Sequence, residues 1–439
     1  MATARKIYLS PSDTGIFSAR VKEHAAETVN EVLQDNLEKH HVFFNNKGFH
    51  NHIVHHVLTI YALGASPELI RDSYVENKQY QNPALQVNEA IVRSLYEKQG
   101  FKENLGKGNN YPNYLEFFQR EIEGKGVEHV LNQYVFAGDE NAEAMMIRLF
   151  AGLLHPIIHL GFGLEFNQPA IVAEALSQAA VHDDALAKFL FPAEKAAGGL
   201  GKEAQKKPLL QILEGIRTNE KLVHSVRWED DSKMRDGVLI RALDEMIETA
   251  AQVTVSEDEI DERTAEMINT VVYYTAAAQR RSKKVKFDFF FLHCVNVSIF
   301  FPKIMALSWI DVRSRVRLLE WKIRMDLLIY VSGGSPGLHL EDINKYQTAH
   351  DWSSIFEHGN VHTEDDGHFP KLARALANGE KACRPFESQG DRFKITGDAW
   401  LKIGNMVMDS TPYAGAAEEW VRFAGFDEAW REIEDRPRL

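Results

Sequence analysis

The 439-residue sequence has little cysteine, no excess of positive charge and no long uninterrupted apolar run. Its two cysteines imply no disulfide framework and fit a reducing compartment. Acidic residues outnumber basic ones by 63 to 50, and the resulting net charge of -13 disfavours nucleic acid and anionic membrane surfaces as partners. Polar residues interrupt the most apolar stretch, 287–310, and the first residues lack the apolar core of a secretory signal. We expect a cytoplasmic protein.

The loops that bind nucleotide cofactors are also missing. Residues 196–202 resemble a phosphate loop, but Ala196 stands where the first glycine is required and Glu203 replaces the serine or threonine. Residues 161–166 resemble a dinucleotide fingerprint, but they follow a predicted helix and carry Phe166 in place of the third glycine. The sequence therefore predicts no nicotinamide or flavin site of the Rossmann type.

Helical periodicity dominates what is present, whereas alternating strand patterns are scarce. We predict an all-α fold in which residues 1–439 form one large helical domain with an irregular C-terminal part. Pro156 and Pro302 fall inside predicted helices and should kink them, and residues 196–207 resemble a surface linker. The predicted helices cover residues 21–44, 51–63, a segment starting at Ser66-Pro67, 86–99, 112–123, 126–135, 140–160, 168–190, 205–217, 233–253, 258–282, 286–316, 318–330, 365–377, 396–409 and 416–424.

Histidine is abundant, and several of the 18 histidines lie in apolar, helix-like segments. Such residues, if buried, need polar partners. His155 and His159 are four residues apart, which places both on one helix face at a spacing typical of metal ligands. His52, His55 and His56 share one side of another predicted helix. The simpler alternative is a polar helix face with satisfied hydrogen bonds.

A second group of candidates lies nearer the C-terminus. His293 stands alone in an aromatic run, where a satisfied core histidine is the usual outcome, and Cys294 beside it is either a nucleophile or, more commonly, a buried structural thiol. His368 and Lys371 are three residues apart and share a helix face. A metal would repel a protonated lysine, but burial can neutralise the amine and carbon dioxide can convert it to a carbamate. In the alternative interpretation Lys371 faces solvent and Asp366 caps the helix.

Four short motifs that contain these histidines occur in order between about residues 40 and 410. They are Asn51-His52 followed by Leu63-Gly64-Ala65, then Gly152-x-x-His155-Pro156-x-Ile158-His159-x-Gly161, then His293, and then Asp366-Gly367-His368-x-x-Lys371-x-x-Arg374-Ala375-Leu376. In these motifs the chain resembles the questin oxidase-like family of fungal enzymes that tailor aromatic polyketides. The resemblance implies an all-α fold and oxidative opening of an anthraquinone ring to a benzophenone-type product.

The resemblance also implies a non-haem iron(II) site, one per chain, with dioxygen as co-substrate. It implies a ligand set of four histidines and a carboxylated lysine, namely His52, His155, His293, His368 and Lys371. His159 is an alternative to His155 or an outer residue, and Asn51 and Asp366 are candidates to orient the ligand imidazoles. Five protein ligands leave one octahedral position, and imidazoles with one carboxylate-type oxygen suit iron. Catalytic residues beyond the metal site are not predicted.

Several functions remain open at this point. The leading one is an iron-dependent dioxygenase, and the alternative is an NADPH-dependent Baeyer–Villiger-type monooxygenase acting on the same substrates. A hydrolase that uses a lysine carbamate and a non-catalytic helical binding protein are further possibilities. The aromatic residues between Phe287 and Trp309 either line an apolar pocket for the flat substrate or, as we expect for most of them, form helix core. The oligomeric state is not predicted.

Overall fold

The structure is a computed structural model that describes residues 1–45, 47–199, 207–362, 365–411 and 419–436. Over these residues the regular elements are helices, and β-structure is limited to isolated bridges. The prediction of an all-α fold is confirmed. The chain forms two compact units: Met1–Leu186 with Ala306–Asp311 and Phe356–Arg374, and Ala187–Met305 with Val312–Ile355 and Ala375–Leu439.

The first unit contains ten helices in its described residues up to 186. They are α1 (Ala25–Lys39), α2 (Ile53–Ala62), α3 (Pro67–Lys78), α4 (Glu89–Ser94), α5 (Lys98–Asn104), α6 (Tyr111–Lys125), α7 (Val127–Leu131), α8 (Glu140–Leu149), α9 (Ala151–Glu165) and α10 (Pro169–Val181). Two of them, α2 and α10, are buried along nearly their whole length. Helix α2 packs against α1, α3 and α9, while α10 packs against α6, α8 and α9.

The turn between α2 and α3 follows from its sequence. Gly64 ends the segment with a φ of 82°, a left-handed conformation that glycine adopts without cost. Ser66 then caps α3 by accepting a hydrogen bond from Leu69 N at 3.4 Å, and Pro67 occupies the first turn, where no N–H is needed. The predicted helix end and the predicted restart are both confirmed.

The predicted helix over 140–160 is broken, but not at Pro156. The break lies at Gly152, Leu153 and Leu154, whose φ values of 52°, 55° and 67° are all left-handed, and α8 and α9 are bent by 95° at this point. Pro156 falls in the first turn after the break, where its missing N–H removes no helical hydrogen bond. In the described part of the chain no single helix is long and apolar enough to cross a membrane, and α8 and α9 meet that test only as a bent pair.

A buried ion pair joins three segments of the first unit. The Arg374 guanidinium contacts the Glu165 carboxylate through two nitrogens, and both side chains are at most 2% exposed. Glu165 also accepts a hydrogen bond from Ile16 N at 2.7 Å, and Arg374 donates to the Phe17 carbonyl at 2.9 Å. The pair thereby ties the end of α9 to the N-terminal segment and to residue 374.

In the second unit the predicted helix over 286–316 is three helices. Residues 284–288 are not helical. Asp288 begins the first of the three by accepting hydrogen bonds from Phe290 N and Phe291 N at 2.7 and 3.1 Å, and Pro302 lies in the first turn of the second. The helices of this unit are α11 (Ala187–Ala197), α12 (Leu209–Thr218), α13 (Glu220–Val223), α14 (Leu239–Arg241), α15 (Leu243–Ala251), α16 (Ile260–Ala277), α17 (Phe289–Ser298), α18 (Phe301–Met305), α19 (Val312–Ser332), α20 (Leu340–Asn344) and α23 (Ala399–Ser410).

Helices α21 (Trp352–Val361) and α22 (His368–Cys383) contribute residues to both units. Single π-helical turns occur at Asn132–Phe136 and Lys233–Val238. Of the predicted linker over 196–207, residues 200–206 lie outside the described part of the chain, and so do residues 416–418 of the last predicted helix. Residues 419–424 are not helical, so that part of the prediction is wrong.

Candidate metal centre

The same backbone arrangement holds two of the predicted ligand histidines. His155 follows the three left-handed residues at the start of α9, and its Nδ1 donates a hydrogen bond to the Gly152 carbonyl at 2.7 Å. His368 follows two left-handed residues at the start of α22, and its Nδ1 donates to the Asp365 carbonyl. In both cases the acceptor lies three residues before the ring. The proton is thereby fixed on Nδ1, so Nε2 carries the lone pair that a metal would use.

His52 brings a third imidazole to the same place. It immediately precedes α2, and its Nε2 lies 2.9 Å from the Nε2 of His155. The rings of His52 and His368 are 5.0 Å apart, and all three side chains are buried. Two nitrogens bound to one metal at about 2.1 Å and at a right angle would be about 3.0 Å apart. The spacing of His52 and His155 therefore suits two neighbouring ligands of one ion.

The Asp366 carboxylate favours one of the two neutral tautomers of His52. Its Oδ2 lies 3.5 Å from His52 Nδ1, and its Oδ1 accepts a hydrogen bond from the Tyr80 hydroxyl. A lone pair on Nδ1 would face the carboxylate unfavourably, whereas an N–H there is attracted to it. Burial raises the pKa of Asp366, and the Tyr80 hydrogen bond and the Lys371 charge act in the opposite direction. The preferred tautomer of His52 therefore also presents its lone pair at Nε2.

Burial keeps three imidazoles, that of His52 just before α2 and those of His55 and His56 on α2, in the neutral form that binds metals. It lowers the pKa values of His52 and His55 well below the ordinary range, with the nearby charge of Lys371 as a further cause. The same two causes lower the pKa of His56 to about 3. Neutral imidazole thus persists in this cluster at pH values at which free histidine is protonated.

Lys371 is buried close to the same rings, three residues after His368 on α22. Burial lowers the pKa of its amine to about 8, although the charges of Asp365 and Asp366 act in the opposite direction. At neutral pH the unprotonated form of this amine is therefore much more populated than that of an ordinary lysine. A neutral lysine amine in this position is a nucleophile toward carbon dioxide.

His159 and Glu174, a residue that sequence reasoning missed, form a separate chain with His55. His55 Nε2 lies 3.1 Å from His159 Nδ1, and His159 Nε2 lies 3.5 Å from Glu174 Oε2. All three side chains are buried. Because His159 turns to His55 and Glu174, whereas His155 Nε2 faces the Nε2 of His52, this geometry favours His155 over His159 as a ligand. The signal for Glu174 was a lone carboxylate within the apolar segment 169–181.

His50 and His182 form a second pair that the sequence analysis did not single out. Their Nε2 atoms are 2.8 Å apart, and the His50 ring stacks on His155 at 4.0 Å with an angle of 7° between the planes. A Cβ on Gly152 would lie 2.5 Å from His182 Cε1, so only glycine leaves room for these rings. His50, held by His182, therefore packs against the face of the His155 ring.

The side chain of Asn51 positions the site through the backbone. Its Oδ1 accepts a hydrogen bond from Ile53 N at 2.9 Å, and its Nδ2 donates to Asn36 Oδ1 at 2.8 Å. These contacts fix the beginning of α2 relative to α1. His52 lies between the two bonded residues, so its backbone is held there.

His293 lies in the second unit, on α17. It is buried, and its Nδ1 donates a hydrogen bond to the Phe289 carbonyl at 2.7 Å, which fixes the same tautomer as in His155 and His368. Its place in the ligand set stays a prediction. Cys294 is also buried, and burial raises the pKa of its thiol, so it is poorly suited to act as a nucleophile.

The aromatic run around His293 is mostly core. The fully buried members are Phe287, Phe291, Phe300 and Phe301, whereas Phe289, Phe290 and Trp309 are of intermediate exposure. Four of the seven side chains are therefore core, although only Phe291 and Phe301 among these four lie in helices.

Comparison with known proteins gives consistent matches over the whole chain. The family model described as Questin oxidase-like matches residues 49–376. A Baeyer-Villiger monooxygenase of a Cryptosporiopsis species is 39% identical over 440 residues, covering 98% of each chain. A questin oxidase of Aspergillus terreus is 39% identical over 444 residues, covering 99% of this chain and 98% of its own. A Baeyer-Villiger oxidase of Pestalotiopsis fici is 37% identical over 443 residues, covering 98% and 99%.

Proposed function

Since this chain belongs to the questin oxidase-like family and is an oxidoreductase, we propose that it is a non-haem iron-dependent oxygenase. Its substrate would be an anthraquinone-type aromatic polyketide, and the reaction would be an oxidative carbon–carbon cleavage that opens one ring to a benzophenone-type product. The substrate class follows from relatives that are named questin oxidases. The iron assignment follows from the chain's own histidines.

The observation that carries the iron site is the pair of facing Nε2 atoms of His52 and His155. The His52 ring is neutral, and the partners of both Nδ1 atoms, the Asp366 carboxylate and the Gly152 carbonyl, favour the proton on Nδ1. The two Nε2 atoms then lie 2.9 Å apart in a buried place, a spacing that suits two neighbouring ligands of one cation. His368, with the same tautomer, is the third ligand from this unit.

Lys371 is proposed as the anionic ligand of the set. Its neutral amine adds to carbon dioxide, forming a nitrogen–carbon bond and releasing one proton, and the resulting carbamate offers oxygen donors in place of a repelling ammonium. This change also offsets part of the charge that iron(II) brings into a buried, histidine-rich environment. Iron held in this way would supply the redox chemistry that allows dioxygen to react with an electron-rich ring.

The alternative is an NADPH-dependent Baeyer–Villiger-type monooxygenase on the same substrates, and the names of several relatives favour it. The two functions differ in the fate of dioxygen. The dioxygenase places both atoms of one dioxygen molecule in the product and needs no NADPH. The monooxygenase places one atom there and requires NADPH in every turnover.

The first test is elemental analysis of purified wild-type protein beside His368→Ala and Lys371→Ala. About one iron per chain in the wild type, lost in both variants, is the expected result. Exposed residues provide matched controls: His129→Ala, and Lys381→Ala on the same helix as Lys371, should retain the iron. A nuclear magnetic resonance signal from ¹³CO₂ that disappears in Lys371→Ala would identify the carbamate.

The second test is oxygen uptake with an anthraquinone in the presence and absence of NADPH, followed by mass analysis of the product made under ¹⁸O₂. Two labelled atoms without NADPH support the dioxygenase. One labelled atom with an absolute NADPH requirement would establish the monooxygenase instead. Full activity of a metal-free preparation would refute the iron site.

A further inference from the structure

Among the three histidines of the first unit's cluster, only His52 depends on a side chain to hold its Nδ1. His155 and His368 donate to backbone carbonyls three residues earlier in the chain. His52 Nδ1 faces the carboxylate of Asp366, at 3.5 Å from Oδ2. A backbone carbonyl has a fixed direction, whereas a carboxylate can rotate, so His52 is held only as well as Asp366 is.

Tyr80 fixes the orientation of that carboxylate. Its hydroxyl, two residues beyond the end of α3, donates to Asp366 Oδ1, and this contact directs Oδ2 toward His52. The hydroxyl also lies 2.9 Å from Asn77 Oδ1, but it has one proton, and a charged carboxylate is the stronger acceptor. Asp366 has a left-handed φ of 57°, an uncommon backbone conformation for a residue other than glycine.

We propose that Tyr80 is a positioning residue for the metal centre, which acts through Asp366 to hold His52 in the ligand orientation and tautomer. The inference rests on the proposed function, because it assumes that His52 binds a metal. Tyr80 touches neither His52 nor the metal in this scheme. It sets the strength of the Asp366–His52 contact, and outer contacts of this kind typically change metal affinity about 10- to 100-fold.

The test compares Tyr80→Phe with Tyr74→Phe in the full-length protein. Tyr74 is the matched control, because it lies on α3 and its hydroxyl also donates to a carboxylate, that of Asp35, which is on α1. The measurements are the dissociation constant for Co²⁺ added to metal-free protein and the visible absorption spectrum of the Co²⁺ form. We expect Tyr80→Phe to weaken Co²⁺ binding about tenfold and to shift the spectrum, and Tyr74→Phe to change neither.

A double-variant cycle shows whether Tyr80 acts through Asp366. If it does, adding Tyr80→Phe to Asp366→Asn weakens Co²⁺ binding no further than Asp366→Asn alone. The inference would be overturned if the losses of Co²⁺ affinity caused by the two single substitutions added up in the double variant. It would also be overturned if Tyr80→Phe had the Co²⁺ affinity and spectrum of the wild type. Denaturant unfolding of the metal-free variants tests for a merely structural effect. If the loss of Co²⁺ binding free energy in Tyr80→Phe equals its loss of unfolding free energy, the inference is also refuted. A wild type that binds no metal would refute the proposed function itself.

Discussion

Replacement of Gly367 by alanine tests how tightly the chain is packed around the candidate metal centre. Gly367 precedes His368 and has a φ of 73°, and a Cβ built there lies 2.6 Å from both Cγ and Cδ2 of His56. Non-bonded carbon atoms are normally separated by about 3.5–4.0 Å. His56 lies in the fully buried helix α2, so its ring has no open space into which it can move.

The cost of the substitution has two parts, and the chain offers a control that separates them. The left-handed backbone alone costs alanine about 1–2 kcal/mol. Gly138 has nearly the same φ, 72°, but no atom lies within 4 Å of the position of its Cβ, so Gly138→Ala measures this part by itself. Overpacking of a core adds about 1–3 kcal/mol. We therefore expect Gly367→Ala to lower the free energy of unfolding by about 2–5 kcal/mol in total.

Denaturant unfolding of metal-free Gly367→Ala and Gly138→Ala gives the difference in their unfolding free energies. Co²⁺ titration of the same variants shows whether each substitution weakens metal binding. Gly367→Ala should weaken Co²⁺ binding, because its Cβ displaces the turn that holds the Nδ1 of His368. Gly138→Ala should leave binding unchanged. Equal destabilisation by the two substitutions would show that the contact with His56 costs nothing, and the packing described here would then be wrong.

Two further predictions concern the stability of the first unit, one through its buried ion pair and one through its buried histidines. Glu165→Gln leaves the Arg374 guanidinium buried without its counter-charge and should lower the free energy of unfolding by about 3–5 kcal/mol. Replacing both residues by methionine should recover most of that loss. In denaturant unfolding, a loss below about 1 kcal/mol for Glu165→Gln would contradict this expectation. The free energy of unfolding of the metal-free protein should fall as the pH falls below about 6.5. The reason is that His52, His55 and His56 bind protons in the unfolded chain but stay neutral when buried in the folded protein. Each ring contributes up to about 1.4 kcal/mol per pH unit to this slope. His56→Asn should reduce this slope and the exposed control His129→Asn should not, and an unchanged slope in His56→Asn would show that His56 is protonated in the folded protein.

The helical class could be predicted because the 3.6-residue apolar pattern is long and repeated, but the breaks within the helices could not. Both prolines expected to kink helices, Pro156 and Pro302, instead lie in the first turn of a new helix. Proline is tolerated at that position, so the residue indicates a boundary as readily as a kink. The three consecutive left-handed residues before His155 have no signal in sequence except Gly152.

In the candidate site, too, residue spacing predicted some features and could not predict others. Spacing placed His155 and His159 on one helix, but it could not say that His159 turns to His55 and Glu174 while His155 meets His52. That outcome depends on which helices pack together. Tyr80 is further from prediction still, because its role depends on a contact with a carboxylate 286 residues away in sequence.

The discontinuity of the first unit has a consequence for the order in which the protein is made. Residues Met1–Leu186 emerge from the ribosome long before Phe356–Arg374, the segment with His368 and Lys371 that completes the unit. Translation at about 5–20 residues per second separates the two by about 10–40 s. During that interval His52 and His155 exist without the rest of the site, and the nascent chain offers a metal only part of its ligands. A complete ligand set is therefore expected only after residues 356–374 have been made, so any metal that binds earlier does so without His368 and Lys371.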